Sequence, residues 1–264
     1  MSHGSDRMQL VKQGQVATII FDHPQRRNAM SIDMWRAMPL MLDEIEADST
    51  IRAIVLKGGG DEAFVAGADI SEFDTHRGTP EAVQAYEELV DGANGRLANC
   101  PVPTIAMIRG FCIGGGLAIA LSCDLRIATP QSVFAIPAAK LGLGYRHNGI
   151  RTLMNLVGPG FAREIFFTAR QFTANEAMGM GLLNRLAAES ELEAQVKTIC
   201  GMIAANAPLT LRAAKQAMLE IDKAPEGFNS TLCEQMVQAC FASADYKEGR
   251  RAFMEKRRPV FQGF

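Results

Sequence analysis

An α/β core followed by a helical region is what this 264-residue sequence predicts, and three observations predict it. Apolar, strand-like runs joined by short crossovers fill the first half, helical periodicity fills the second, and Gly-rich turns stand between strands and helices. The expected partition is a core over 1–200 and a C-terminal helical region over 201–264, together one functional unit.

In chain order, Val11 to Asp22 reads as a strand pair turning at Gln13-Gly14, with 16-VATIIF-21 as its buried member. Ser31 can cap a helix in which Trp35, Met38, Leu42 and Ile45 share a face, and Pro39 is expected to interrupt and kink it. The run 51-IRAIVLK-57 reads as a central strand ending in the Gly58-Gly59-Gly60 turn. A polar stretch from Thr75 to Pro80 precedes a helix reaching about Asn99, and Pro101 and Pro103 separate it from the strand 104-TIAMI-108. After the strand 125-LRIAT-129, an irregular stretch rich in Gly and Pro runs to about Gly149. Helices follow over 150–157, 159–167 and 174–180. Next comes one with Leu192, Val196, Ile199 and Ile203 on a face, and another with Pro208 in its first turn. Helical pattern then resumes over 227–256 in two segments.

Bulk properties exclude several classes. A hydrophobic share of 48% and a charged share of 21% are ordinary globular values and exclude a disordered chain. A net charge of −2 gives no electrostatic ground for nucleic acid or an anionic membrane as partner, and the basic cluster Arg250 to Arg258 reads as a solvated helix face. The six cysteines form no CxxC and have no His at metal spacing, so they read as buried free thiols in a reducing compartment. The four histidines form no HExxH, so no metal is expected. Residues 1–9 carry neither a signal nor a transit pattern, and no apolar run is long enough to span a bilayer, so a cytoplasmic location is the expectation.

The chemistry is carried by 109-RGFCIGGGLAIALSCD-124 together with 64-FVAGADI-70. Gly114, Gly115 and Gly116 follow an apolar strand and open a helix, where unpaired N–H groups and the positive end of the helix dipole suit an oxyanion. The turn around Gly67 and Ala68 can bring a second N–H, and two converging donors stabilise the oxygen of a thioester becoming an enolate.

With these pieces the chain resembles the enoyl-CoA hydratase/isomerase (crotonase) superfamily over nearly its whole length. The matches run in order: Arg27-Asn28-Ala29, Ala66 to Ile70, Pro103 to Asp124, 171-QFTANEAMGMGLLNRL-186 and 245-DYKEGRRAFMEKRRP-259. The resemblance implies a spiral of β-β-α repeats with a C-terminal helical trimerisation region, assembled as a homotrimer or a dimer of trimers. It implies an acyl-CoA substrate, with coenzyme A part of the substrate and no separate cofactor, and an oxyanion hole made by the N–H groups of Ala68 and Gly115. It further implies CoA contacts from the backbone of Ala66, Ala68, Asp69 and Ile70. Arg27 is placed near the pyrophosphate or ribose phosphate, and Phe253 and Lys256 at the nucleotide end, often of a neighbouring subunit.

The departure from the family is chemical. Where a hydratase carries two glutamates, this chain has Ala118 and Ala138. A methyl group transfers no proton, and each such group is worth about 10²–10⁴ in rate, so true hydration is doubtful. The segment 141-LGLGYRHNGI-150 supplies the remaining candidates. Tyr145 matches a tyrosine of methylmalonyl-CoA decarboxylase-like members, which the chain also resembles; it would orient a carboxylate, with Arg146 or His147 as the carboxylate partner. Asp69, Glu72 and Asp74 read as helix-capping acids, of which one could face the acyl group, and Asp124 as an organiser of backbone. The readings are therefore a hydratase-like lyase or isomerase, a decarboxylase, or a non-catalytic acyl-CoA-binding protein. A dinucleotide fingerprint, Gly58-x-Gly60-x-x-Ala63, lacks the helix that should follow it, and no GxSxG elbow is present.

Overall fold

The computed structural model describes residues 3–72, 79–223, 227 and 229–264, without the side chains of Ile70, Pro80 and Phe253. Its organising feature is a pair of sheets filled alternately by consecutive strands. The larger has the order β1 (Met8–Gln13), β2 (Val16–Phe21), β3 (Ala53–Gly58), β5 (Thr104–Ile108), β7 (Leu125–Ala128) and β10 (Arg185–Leu186). The smaller runs β4 (Ala63–Ala66), β6 (Phe111–Ile113), β8 (Val133–Ala135) and β9 (Phe172–Thr173). The β1–β2 hairpin is antiparallel, as is β8–β9, and every other pair is parallel.

Each winding of the chain therefore gives one strand to each sheet and then a helix. β3 and β4 lead to α2 (Pro80–Ala98), β5 and β6 to α3 (Gly115–Ser122), and β7 and β8 to α4 (His147–Thr168). That is the β-β-α spiral, followed by α5 (Ala174–Gly179), α6 (Leu192–Ala204), α7 (Pro208–Ile221), α8 (Ser230–Ala242) and α9 (Ala244–Met254). Before it stands α1 (Ile32–Glu46).

The period-2 alternation of the strands divides the core. Ile54, Leu56, Ala106, Ile108 and Ala128 face the main cluster, with α1 residues Trp35, Met38, Leu42 and Ile45 and the aromatic pair Phe21–Phe64. Ala53, Val55, Ile105, Met107 and Ile127 point to the opposite face, where Leu192, Val196 and Cys200 of α6 cover them. Both faces of the parallel strands are thus buried, which is why these runs are continuously apolar.

Three differences from the sequence expectation have simple causes, and one expected break is found. The hairpin begins at Met8 and turns on Gly14-Gln15, because Gln13 pairs with Val16 and Gly14 takes φ +59. Helix α1 is not interrupted at Pro39: burial of a full apolar face offsets the one backbone bond that proline cannot make. The break falls instead at Gly158, with φ 73 and ψ 166, between the two helical runs that the sequence had separated. The short strands β4, β6 and β8 were not anticipated, since three or four residues are too few to show a period.

Candidate active site

The two Gly-bearing loops meet. The segment 27–30 runs alongside 66–69: Ala66 N–H donates to the Arg27 carbonyl at 3.0 Å, Met30 N–H to Gly67 at 2.8 Å and Asp69 N–H to Met30 at 2.9 Å. Asn28 anchors that segment from beneath. It is 1% exposed, donates to the carbonyls of Gly59 (3.0 Å) and Ala63 (2.8 Å), and accepts from the His23 N–H at 2.9 Å. In this ladder Ala66 and Asp69 spend their N–H groups, and the Ala68 N–H between them donates to no acceptor among the described residues.

Helix α3 brings the opposing loop. Gly114 adopts φ 54 and ψ −114, and its N–H is tied to the Ala135 carbonyl at 2.8 Å. The Gly115 N–H that follows opens the helix, has no partner among the described residues, and lies at the positive end of the dipole. A Cβ placed on Gly115 would lie 3.9 Å from the Ala68 nitrogen and 3.8 Å from the Gly67 carbonyl carbon, so the two loops face each other across a side chain's width. Gly116 fixes the approach: a Cβ there would stand 2.0 Å from the Val65 carbonyl oxygen, so only glycine lets α3 close on β4.

The far end of α3 is held by Arg126, which is 3% exposed. Its guanidinium donates to the carbonyls of Cys123 (2.7 Å), Ala120 (3.4 Å) and Leu182 (2.8 Å) and to Asn184 Oδ1 (3.3 Å). Burial lowers its pKa, and it caps the negative end of the helix whose positive end faces Ala68. Asp124 organises the start of β7, accepting from the Thr104 N–H (2.7 Å) and hydroxyl (3.0 Å) and from Lys215 Nζ (2.7 Å).

The remaining predicted residues fall in three places. Ala118 lies three residues beyond Gly115 on α3 and is half-buried between the buried Leu117 and Ile119. Ala138, 7% exposed, follows Pro137, whose Cδ would be 3.8 Å from a Cβ on Gly114. Both alanines thus border the Gly114–Gly115 loop. Tyr145 and His147 belong to a second surface. The Tyr145 ring packs edge-on against Phe166 with centroids 4.9 Å apart, and it covers Gly149. Burial, reinforced by the Asp91 charge, pushes its hydroxyl up to about 12. Arg146 is tied to Glu87 (2.9 Å) and Asp91 (3.6 Å) of α2, and His147 opens α4 on the exposed side. Burial raises the Asp91 carboxyl against the lowering pull of Arg146.

Of the residues assigned by resemblance to coenzyme A, Arg27, Ala66, Ala68 and Asp69 lie together on the paired segments 27–30 and 66–69. Arg27 is exposed, paired with Glu62 at 2.6 Å and stacked 4.8 Å over Phe111. Asp69 is turned inward and accepts from the Ser71 N–H (3.0 Å) and hydroxyl (2.6 Å), a cap for the 3-10 turn that Ile70 opens. Glu72 caps α1, accepting from the Ile32 N–H at 2.9 Å, so it serves the fold. Lys256 is exposed at φ 53, while the Phe253 and Ile70 side chains and all of Asp74 lie outside the described residues.

Sequence reasoning passed over the supports of this site: Asn28 as an anchor, Arg126 as a cap and Asp91 beside Tyr145. An arginine inside the apolar run 125-LRIAT-129 was the available signal for one of them, because a central strand position carries charge only with dedicated partners.

The fold and the paired loops define a class, and the comparisons agree with it. The sequence model of the family described as enoyl-CoA hydratase/isomerase matches residues 11–263, and the chain belongs to that family. Among relatives, it is 37% identical over 260 residues to the short-chain-enoyl-CoA hydratase of Clostridium acetobutylicum, covering 97% of this chain and 96% of the relative. It is 33% identical to the crotonyl-CoA hydratase of Syntrophomonas wolfei, covering 96% of each. A solved enoyl-CoA hydratase/carnithine racemase structure from Magnetospirillum magneticum superposes with a TM-score of 0.92 at 35% identity, covering 98% and 97% of the two chains. The protein is an enzyme of the hydratase/isomerase type. Among the described residues no helix is long and apolar enough to cross a membrane.

Proposed function

We propose that the chain polarises an acyl-CoA thioester between the Ala68 and Gly115 N–H groups and stabilises the enolate that forms at its α-carbon. What supports this is the close approach of two separate loops, each with an N–H group that has no partner among the described residues, one of them at a helix start capped at its other end by a buried arginine. Such donors favour the charge that develops during reaction more than the neutral carbonyl, the requirement for catalysis rather than mere binding.

With Ala118 and Ala138 at the glutamate positions, water is neither deprotonated nor is a proton delivered from those two places. Loss of a β-carboxylate leaves its bonding electron pair on the α-carbon as the enolate and needs no base. A proton shift needs a group to take and return the proton, for which His147 is the remaining candidate; rapid hydration is not the chemistry of this chain. Tyr145, kept protonated by burial, serves as a hydrogen-bond donor orienting the acyl group. The ion pairs of Arg146 with Glu87 and Asp91 weigh against Arg146 as a free carboxylate receptor and leave that role to His147. Arg27, Phe253 and Lys256 hold the nucleotide end, the last two across a subunit boundary. An oligomer, trimer or dimer of trimers, fits the apolar side chains that the C-terminal helices leave exposed, among them Met218, Ile221 and Phe241.

The test is turnover of crotonyl-, 3-enoyl- and methylmalonyl-CoA in deuterated water, followed for hydration, double-bond shift, CO₂ loss and α-proton exchange. The expected result is CO₂ loss, or exchange or isomerisation, with feeble hydration. Hydration at ordinary enzymatic rates overturns the assignment of roles to Ala118 and Ala138, and binding without any turnover makes the chain a carrier of acyl-CoA.

A further inference from the structure

We propose that the indole N–H of Trp35 is a third donor to the thioester oxygen held by Ala68 and Gly115; the proposal rests on the oxyanion reading above and extends it. Trp35 comes from α1, an element outside both donor loops, and is 1% exposed. Its Nε1 is buried with no hydrogen-bond partner among the described residues. Its Cζ2 lies 3.3 Å from the place a Cβ on Gly115 would occupy, nearer to that point than the Gly67 carbonyl carbon or the Ala68 nitrogen. Nε1 and Cζ2 are both bonded to Cε2, so the N–H lies two bonds from the ring atom that approaches Gly115 and the 67–68 peptide.

A buried, unpartnered N–H destabilises a fold, and a phenylalanine or leucine would fill the same core position without that cost. The donor is retained at the one place where an acceptor arrives with substrate. Ala68 and Gly115 supply backbone donors fixed by the fold, and the indole adds one from a rigid side chain that loses no rotamer freedom on binding. Three donors around one oxygen are what a site without glutamates has left for stabilising an enolate.

The chain has a single tryptophan, so an ¹⁵N-indole-labelled sample gives one Nε1–H resonance. The experiment titrates the full-length protein with butyryl-CoA and with S-butyl-CoA, a thioether of the same shape that lacks the carbonyl, while calorimetry records binding of each. The expected result is a downfield shift of the indole proton with butyryl-CoA and little movement with S-butyl-CoA. In Trp35→Phe the preference for butyryl-CoA over S-butyl-CoA should fall roughly tenfold, the size of one net hydrogen bond. An indole resonance unmoved by butyryl-CoA that calorimetry shows to be bound overturns the role of Trp35 and leaves the two-donor site standing. Absence of any preference for the carbonyl ligand in the unaltered protein overturns the oxyanion reading itself. Should Trp35→Phe fail to fold, the titration of the unaltered chain still decides.

Discussion

The two halves of the site are made differently. The half proposed to hold the thioester oxygen is backbone: Ala68 and Gly115, fixed by Asn28 and Arg126, both nearly inaccessible, and by the contact of Gly116 with Val65. The half proposed to face the rest of the acyl group is side chain, carried on the 138–147 segment where Lys140, Leu141, Leu143, Arg146 and His147 are exposed. The first half has no freedom to vary because its atoms are shared with the core. The second is attached to the core mainly through the Tyr145 ring and the ion pairs of Arg146, so its chemistry can change while the fold does not.

The contrast is sharpest in a pair of glycines. Gly116→Ala puts a methyl group against backbone at 2.0 Å, which cannot relieve itself by a rotamer change, and is expected to lower stability by about 4 kcal/mol or more, with loss of all activity. Gly144→Ala, in the other half, meets nothing within 4 Å and should stay within about 0.5 kcal/mol of the parent. Urea unfolding midpoints of the two variants make the comparison; equal midpoints would erase the distinction between the halves.

Next in size is Arg126→Met. It preserves much of the side-chain bulk but strips the last carbonyls of α3 and the Leu182 carbonyl of their donor, at a cost of roughly 3 kcal/mol. Because the same helix presents Gly115, catalysis should fall further than stability explains, measured as kcat at a temperature where the variant is fully folded.

The fold was legible where apolar runs were long. Strands β2, β3, β5 and β7 and the helices with a full apolar face follow from period alone. The second sheet did not, because its strands are short and their pairing is set by the winding of the chain. The oxyanion loops could be read from Gly and Ala residues at a strand-to-helix junction, since backbone chemistry demands small side chains. Trp35, Asn28 and Arg126 could not: their significance lies in what they touch at sequence separations of 31 to 80, from Gly59 to Leu182 and Gly115. In a sequence, Trp35 is merely another member of an apolar face.

Restoring the missing carboxylates tests both halves at once, since Ala118 stands on α3 and Ala138 opens the 138–147 segment. The double variant Ala118→Glu with Ala138→Glu is expected to raise hydration of crotonyl-CoA by at least about 100-fold, equivalent to about 2.7 kcal/mol of barrier. The assay is the loss of enoyl thioester absorbance. No gain would place the acyl group away from both positions.

The smallest effect concerns Tyr145 and appears only in alkali. The unfolded chain gives up the phenolic proton near pH 10, whereas burial holds it in the folded chain up to about 12. Between those values the folded state binds more protons than the unfolded one, so stability falls as pH rises, while below pH 10 both states are protonated and the residue is silent. Tyr145→Phe has no proton to lose. Its unfolding midpoint should match the parent within about 0.5 kcal/mol at pH 8, because no protein partner of the hydroxyl is removed among the described residues, and should exceed it increasingly above pH 10. Parallel curves to pH 11 would mean that the hydroxyl is in water. The ring would then anchor the loop against Phe166 without presenting a buried donor to the acyl group, and the variable half would have to find its orienting contact elsewhere.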